Sequence, residues 1–86
     1  MNHFDFGWLT EDGTSIEAQG WTPASQPRAV ICLVHGLGEH TGRYEHVAQR
    51  FAEDGCVTMG HDQRGHGRSG GRRGYAPSLD AWMDDI

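Results

Sequence analysis

A serine flanked by glycines stands in the pentapeptide GRSGG at residues 67–71. The pattern G-x-S-x-G can place a nucleophilic serine on a sharp turn between a strand and a helix, where its hydroxyl can attack an acyl carbonyl. Here the preceding residues are polar or glycine and the following ones are glycine and arginine, so neither element is expected beside it. We therefore predict that Ser69 is not a nucleophile and that it hydrogen-bonds local backbone groups, as serine does in turns.

The segment His35-Gly36-Leu37, which follows an apolar run, is a second candidate for acyl chemistry. Acyl transfer needs backbone N–H groups aimed at the oxyanion that forms on the carbonyl. Glycine at position 36 would let the backbone turn closely there. The alternative is an ordinary turn between a strand and a loop.

Histidine and carboxylate side chains also stand close together at His61, Asp62 and His66. Both groups are zinc ligands, but no further ligand follows at a recognisable spacing, and we predict no metal site. Asp62 is expected instead to pair with Arg64 and with backbone groups inside the glycine-rich segment.

The charge of the chain limits its partners. The 86 residues carry a net charge of −5, which argues against a nucleic-acid binder. The arginines nevertheless cluster at Arg64, Arg68, Arg72 and Arg73. We expect a solvated loop there, and contact with an anionic group is the alternative.

The cysteines and the N-terminus bear on the compartment. Cys32 and Cys56 lie in apolar runs and are predicted to be buried thiols of a reducing compartment. No basic-then-apolar leader begins the chain, and no apolar segment approaches the ~18 residues that span a bilayer. A cytoplasmic protein is therefore expected.

The elements that would position these residues begin with an antiparallel hairpin. Phe4, Phe6 and Trp8 alternate along residues 3–10, which is typical of a half-buried strand. The Asp-Gly pair at 12–13 favours a hairpin turn, and residues 15–22 would return as a weaker strand.

A parallel β-α-β unit is predicted next. Residues 29–34 form a continuous apolar run, typical of a strand covered on both faces. Apolar residues then recur at helical spacing up to Gly55, which would end the helix: Tyr44, Val47, Ala48, Phe51 and Ala52. A second strand is expected at 56–60, with a right-handed crossover.

The last residues predict the start of another helix. Ser78 is a good N-cap, and apolar residues recur after it at Leu79, Trp82, Met83 and Ile86. So short a helix is marginal alone, and one crossover helix cannot cover both faces of a sheet. We therefore expect residues 1–86 to be the N-terminal segment of a single, larger α/β domain.

Two longer motifs make the assignment specific. Residues 35–44 read HGLGEHTGRY and residues 62–69 read DQRGHGRS. With the stretch from Arg73 to Asp85 they resemble the monoacylglycerol lipase and lysophospholipase-like group of α/β-hydrolases, of the S33 serine aminopeptidase type. The resemblance implies the N-terminal part of an α/β-hydrolase fold, an antiparallel hairpin leading into a parallel β-α-β unit. It also implies that the chain is truncated before the G-x-S-x-G turn of the nucleophile.

By this resemblance, the backbone N–H of Leu37 contributes to the oxyanion hole and Gly36 sets the geometry of the loop. Glu39 and Arg43 could bind a polar, glycerol-like head group. Equally, they could form an internal salt bridge that orders the loop. The nucleophile, acid and base of the triad are expected to lie outside residues 1–86.

The implied activity is hydrolysis of a small lipid ester, monoacylglycerol-like or lysophospholipid-like, through an acyl-enzyme without metal or organic cofactor. A lid outside these residues would contact the membrane surface. A peptidase or acyltransferase of the same superfamily is an alternative, and so is a non-catalytic fragment or interaction piece. The 86 residues alone are expected to be inactive, because a triad cannot be assembled from them; the oligomeric state is not predicted.

Overall fold

The computed structural model describes residues 1–86, which form one four-stranded sheet with helices. The strands are β1 (Asn2–Leu9), β2 (Ser15–Thr22), β3 (Ala29–Leu33) and β4 (Cys56–His61). A 3₁₀ turn at Thr41–Tyr44 runs directly into α1 (Glu45–Glu53), and the last element is α2 (Leu79–Asp85).

The sheet joins an antiparallel hairpin to a parallel pair of strands, which confirms the predicted architecture. Its order is β1-β2-β4-β3, with β3 and β4 parallel and the other pairs antiparallel. The hairpin turns at Gly13, which has a φ of 81° and donates its N–H to the Thr10 carbonyl at 2.9 Å. Because β3 and β4 are parallel neighbours, the loops that follow them leave the same edge of the sheet.

Helix α1 packs on the sheet through the apolar stripe that the sequence predicts. Ala48 is fully buried, and Val47 and Phe51 are half-buried. The helix ends at the expected glycine, because Gly55 has a φ of 82° and donates its N–H to the Ala52 carbonyl at 3.0 Å. Glycine adopts that left-handed conformation without the steric cost of a Cβ atom.

Strand β2, which was expected to be weaker, carries much of the core. Ile16, Ala18 and Trp21 are buried, because β2 lies between β1 and β4 and pairs with both. The weaker strand was predicted from local strand propensity alone. The burial of its side chains depends instead on the position of the strand within the sheet.

Within residues 1–86, strand β3 is not covered on both faces, so that prediction does not hold for this part of the domain. It is an edge strand that pairs only with β4, and Val30 is 61% exposed. Cys32 on β3 is likewise exposed, whereas Cys56 at the start of β4 is buried, as predicted. An apolar run predicts a strand, but its burial depends on neighbours that the run itself does not specify.

Helix α2 folds back onto the loop after β4. Ser78 caps it, accepting the Ala81 N–H at 3.1 Å, and Trp82 donates its Nε1–H to the Arg64 carbonyl at 3.2 Å. The other apolar positions of its predicted stripe are exposed: Leu79, Met83 and Ile86. Neither helix has the length and apolar character that crossing a membrane requires.

Candidate functional site

The candidate site lies between two loops at one edge of the sheet. Residues 34–40 follow β3 and form the β3 loop, and residues 62–77 follow β4 and form the β4 loop. The loops come into contact because their strands are adjacent and parallel. A groove between them is lined by residues of both, among them Leu37, Gly38, His66, Gly67 and Arg73.

The β3 loop presents one unpaired backbone amide between two paired ones. Gly36 donates its N–H to Glu39 Oε1 at 2.8 Å, and Gly38 donates its N–H to His66 Nε2 at 2.9 Å. The Leu37 N–H has no acceptor within the chain, and Leu37 is 77% exposed. Such an amide can donate to a ligand in the groove, which is what an oxyanion hole requires.

Gly36 and Gly38 allow this geometry for different reasons. A Cβ atom on Gly36 would lie 2.8 Å from Glu39 Oε1, so a side chain there would displace the carboxylate from the backbone amide. Gly38 has a φ of 80°, a conformation that residues with a Cβ rarely adopt.

The Glu39 carboxylate makes its contacts with the β3 loop and the residues that directly follow it. Its Oε1 also accepts the Tyr44 hydroxyl at 2.6 Å, and its Oε2 lies 3.7 Å from Arg43 Nη1. The Tyr44 hydroxyl, and then the Gly36 N–H, hold the pKa of Glu39 below its ordinary value, and the carboxylate in turn raises the pKa of Tyr44. These contacts favour the loop-ordering alternative for Glu39, whereas the Arg43 side chain is 62% exposed.

Asp62 ties the β4 loop to the start of the helical segment. Its Oδ1 accepts the Thr41 N–H at 2.8 Å and the Thr41 hydroxyl at 2.7 Å, and its Oδ2 accepts the Arg68 N–H at 3.0 Å. Burial by itself would raise the pKa of Asp62, but these hydrogen bonds outweigh it and the pKa is lowered. The buried carboxylate is therefore ionised at neutral pH.

The lowered pKa of Asp62 predicts acid sensitivity. Because the unfolded chain binds the proton at higher pH, the stabilisation is present above the unfolded pKa and is lost as the pH falls through the folded pKa. We expect the free energy of unfolding to decline below about pH 5, and urea unfolding across this range measures it. Asp62→Asn should weaken this dependence and Asp84→Asn, at an exposed position, should not; equal slopes in all three proteins would contradict the prediction.

Arg64 does not pair with Asp62, and that prediction was wrong. Its Nε and Nη2 donate to the two Asp85 carboxylate oxygens at 2.7 and 2.9 Å, and its Nη1 donates to Asp12 Oδ2 at 2.6 Å. The Arg64 and Asp85 side chains are only 7% and 3% exposed, so Arg64 is not part of a solvated loop. These partners lie on the hairpin turn and on α2, far away in the chain.

Ser69 is buried and its hydroxyl is used within the fold. The Oγ accepts the Glu17 N–H at 2.9 Å and donates to the Asp62 carbonyl. No strand ends and no helix begins at this serine, so it lacks the geometry that exposes a nucleophile.

Ser69→Ala is therefore expected to reduce stability without affecting catalysis. The free energy of unfolding should fall by about 1–3 kcal/mol, because the hydrogen-bond partners of the hydroxyl lose it. Denaturant unfolding and ester turnover are both measured on the full-length protein that the gene encodes, with the exposed Ser25→Ala as a control that changes neither. Turnover that vanishes in a stably folded Ser69→Ala variant would show that Ser69 is the nucleophile after all.

The two histidines considered as metal ligands have different surroundings. His66 has a partner at each ring nitrogen, Gly38 N–H at Nε2 and the Arg64 carbonyl 3.1 Å from Nδ1. His61 is buried beside Trp8, with ring centroids 5.6 Å apart, and its burial lowers its pKa. No group of three or more His, Cys, Asp or Glu side chains is arranged to hold a metal ion.

Sequence reasoning missed the structural importance of His35 and His66. The available signal in the sequence was that each histidine lies beside a glycine, His35 in the first motif and His66 in the second. Their acceptor roles were not predictable, because each accepts a backbone N–H from the other loop.

The fold and this site define a class of protein. A hairpin that leads into a parallel β-α-β unit, with a glycine-rich loop after β3, forms the N-terminal part of an α/β-hydrolase domain. The family model of serine aminopeptidase S33 matches residues 25–86. The chain belongs to this family, and it is similar in sequence to monoglyceride lipases.

Individual relatives agree with that assignment. The monoacylglycerol lipase of Mycolicibacterium smegmatis is 48% identical over 74 residues, which are 86% of this chain and 26% of that protein. The structure of a highly thermostable carboxyl esterase from Bacillus coagulans in complex with glycerol has 35% sequence identity and a TM-score of 0.73, over 79% of this chain and 22% of that one.

Relatives differ greatly in length. Protein K6 of vaccinia virus (strain Western Reserve) is 40% identical over 53 residues, which are 62% of this chain and 65% of that protein, so K6 is about as short as this chain. The chain spans about a quarter or less of the length of the longer curated relatives that it matches.

Proposed function

We propose that this chain supplies one of the two donors of the oxyanion hole of a serine ester hydrolase. The observation that carries the proposal is the Leu37 N–H, which is unpaired while the N–H groups of Gly36 and Gly38 are both held by acceptors. In α/β-hydrolases the second donor is the backbone N–H that follows the nucleophile. That residue would come from the part of the protein that corresponds to the remaining length of the longer relatives.

In the proposed reaction, a serine outside residues 1–86 attacks the ester carbonyl while a histidine takes its proton. The carbonyl oxygen becomes negatively charged and is stabilised by the Leu37 N–H. The histidine returns the proton to the leaving alcohol, and water then hydrolyses the acyl-enzyme by the reverse sequence of proton transfers. This chemistry uses no metal or organic cofactor.

The substrate proposed is a small lipid ester with a polar head group, such as a monoacylglycerol or a lysophospholipid. Support comes from the similarity to the lipase of M. smegmatis and to an esterase whose structure contains glycerol. Arg43 lies at the base of the β3 loop, and its exposed guanidinium could donate to head-group hydroxyls. Glu39 would act indirectly, by holding the loop.

A non-catalytic role is the second candidate, and the short relative K6 favours it. A chain of this length carries the candidate oxyanion loop, but its one elbow-like serine is buried and bonded. Such a product would act by association with another protein, or not at all.

One assay separates these functions. Residues 1–86 and the full length that the gene encodes are each incubated with a monoacylglycerol, with an aminoacyl nitroanilide and with a fluorophosphonate that labels reactive serines. We expect the full-length protein to release glycerol and to be labelled at a serine other than Ser69, and residues 1–86 to do neither. Cleavage of the anilide in preference to the ester would instead indicate an aminopeptidase, and an unlabelled, inactive full-length product would support the non-catalytic role.

A further inference from the structure

Two buried histidines link the β3 loop and the β4 loop in opposite directions. His35 of the β3 loop accepts the Gln63 N–H at Nε2, at 2.9 Å. His66 of the β4 loop accepts the Gly38 N–H at Nε2, also at 2.9 Å. The two residues are 3% and 5% exposed, and their ring centroids are 5.1 Å apart. We refer to His35 and His66 as the histidine clasp.

The neighbours of each ring determine its protonation. A backbone N–H can only donate, so the Nε2 atom of each ring must carry a lone pair. Nδ1 lies 2.8 Å from the Gly36 carbonyl in His35 and 3.1 Å from the Arg64 carbonyl in His66, and since a carbonyl only accepts, each Nδ1 carries hydrogen. All four ring nitrogens therefore have hydrogen-bond partners within the fold.

The backbone around His66 is shaped to deliver this ring. Gly65 and Gly67 on either side have φ values of 76° and 49°, and a Cβ atom at position 67 would collide with the Asp62 carboxylate. Trp82 of α2 lies on another side of the ring, with centroids 6.2 Å apart. The imidazole is therefore held from several directions.

We infer that His66 is a positioning residue for the Leu37 amide, an inference that rests on the proposed function. Glu39 holds the peptide N–H before Leu37 and His66 holds the one after it, which fixes the peptide groups on both sides of the donor. Without the imidazole, the Gly38 N–H would lose its acceptor, and the peptide group that follows Leu37 would be less firmly held. A displacement of about 1 Å in a catalytic group can cost about 10²-fold in rate.

The test compares two substitutions in the full-length protein, each with a recorded melting curve. His66→Phe keeps an aromatic ring beside His35 and Trp82 but has no acceptor, and it should lower kcat for monoacylglycerol hydrolysis about tenfold to hundredfold while KM stays nearly constant. His66→Gln, whose Oε1 can replace Nε2 as acceptor, should restore most of kcat. A kcat per folded molecule that is unchanged in His66→Phe, or lowered equally in His66→Gln, overturns the inference.

Two further measurements keep the outcome unambiguous. In the unmodified, ¹⁵N-labelled protein, scalar coupling across the hydrogen bond should join the Gly38 amide to His66 Nε2, and its absence overturns the inference even if the variants misfold. When Leu37 is already replaced by proline, His66→Phe should cause no further loss of kcat, because both substitutions act through the Leu37 N–H. If Leu37→Pro leaves kcat intact, the proposed function is wrong. If Leu37→Pro lowers kcat and His66→Phe lowers it further by the same factor as in the unmodified protein, only the role of His66 is wrong.

Discussion

Removal of the Leu37 N–H from the full-length protein is expected to lower kcat for the proposed ester hydrolysis about 10²- to 10³-fold, the usual effect of losing one oxyanion donor. Leu37→Pro removes this hydrogen, and neither neighbouring N–H can replace it, because the Gly36 and Gly38 N–H groups are already bonded. KM should change little, since the interaction strengthens only as charge develops on the carbonyl oxygen. Steady-state kinetics on a monoacylglycerol measure both constants.

The matched control is Leu37→Ala, which shortens an exposed side chain but keeps the N–H. The ratio of kcat between the alanine and proline variants isolates the backbone donor from the side chain. A backbone ester at position 37, made by semisynthesis, removes the N–H without the ring of proline and should match Leu37→Pro. Equal activity of the alanine and ester proteins would show that the Leu37 amide does not bind the oxyanion.

Loss of the ion pair between Arg64 and Asp85 is expected to lower the free energy of unfolding by about 3–5 kcal/mol. Arg64→Met leaves the Asp85 carboxylate buried without its two donated hydrogen bonds. It also releases Asp12 of the hairpin turn, so the β4 loop loses side-chain hydrogen bonds to two other elements. Urea unfolding monitored by circular dichroism gives the change in stability.

Two controls test the electrostatic origin of that loss. Arg64→Met combined with Asp85→Leu removes both charges and should recover much of the stability, because an apolar pair of similar volume carries no desolvation cost. Arg50→Met breaks a surface pair with Glu53, in which the arginine side chain is 80% exposed, and should change stability by less than about 1 kcal/mol. A double variant as unstable as Arg64→Met would mean that packing, not the buried charge, causes the effect.

Local residue types determined where most of the elements begin and end. The Asp12-Gly13 pair predicted the hairpin turn, Gly55 the end of α1 and Ser78 the start of α2, and the structure confirms each. These signals could be read because a turn, a C-cap or an N-cap depends on residues a few positions apart. The motifs at residues 35–44 and 62–69 likewise sufficed to identify the family.

Burial and ion pairing were less predictable because they depend on distant partners. The apolar run of β3 predicted a strand, but its exposure at Val30 and Cys32 follows from its place at the edge of the sheet. The carboxylate nearest to Arg64 in sequence was expected to be its partner, whereas the actual partners are 21 and 52 residues away.

For the candidate site, the sequence by itself determined that a glycine-rich loop after a strand could offer backbone N–H groups to an oxyanion. Only the tertiary structure decided which N–H groups remain available. The Gly38 N–H is taken by His66, 28 residues later in the chain, and this contact exists because the parallel pairing of β3 and β4 brings their two loops together. An amide is a donor for substrate only when the fold gives it no other acceptor, and that depends on both loops at once.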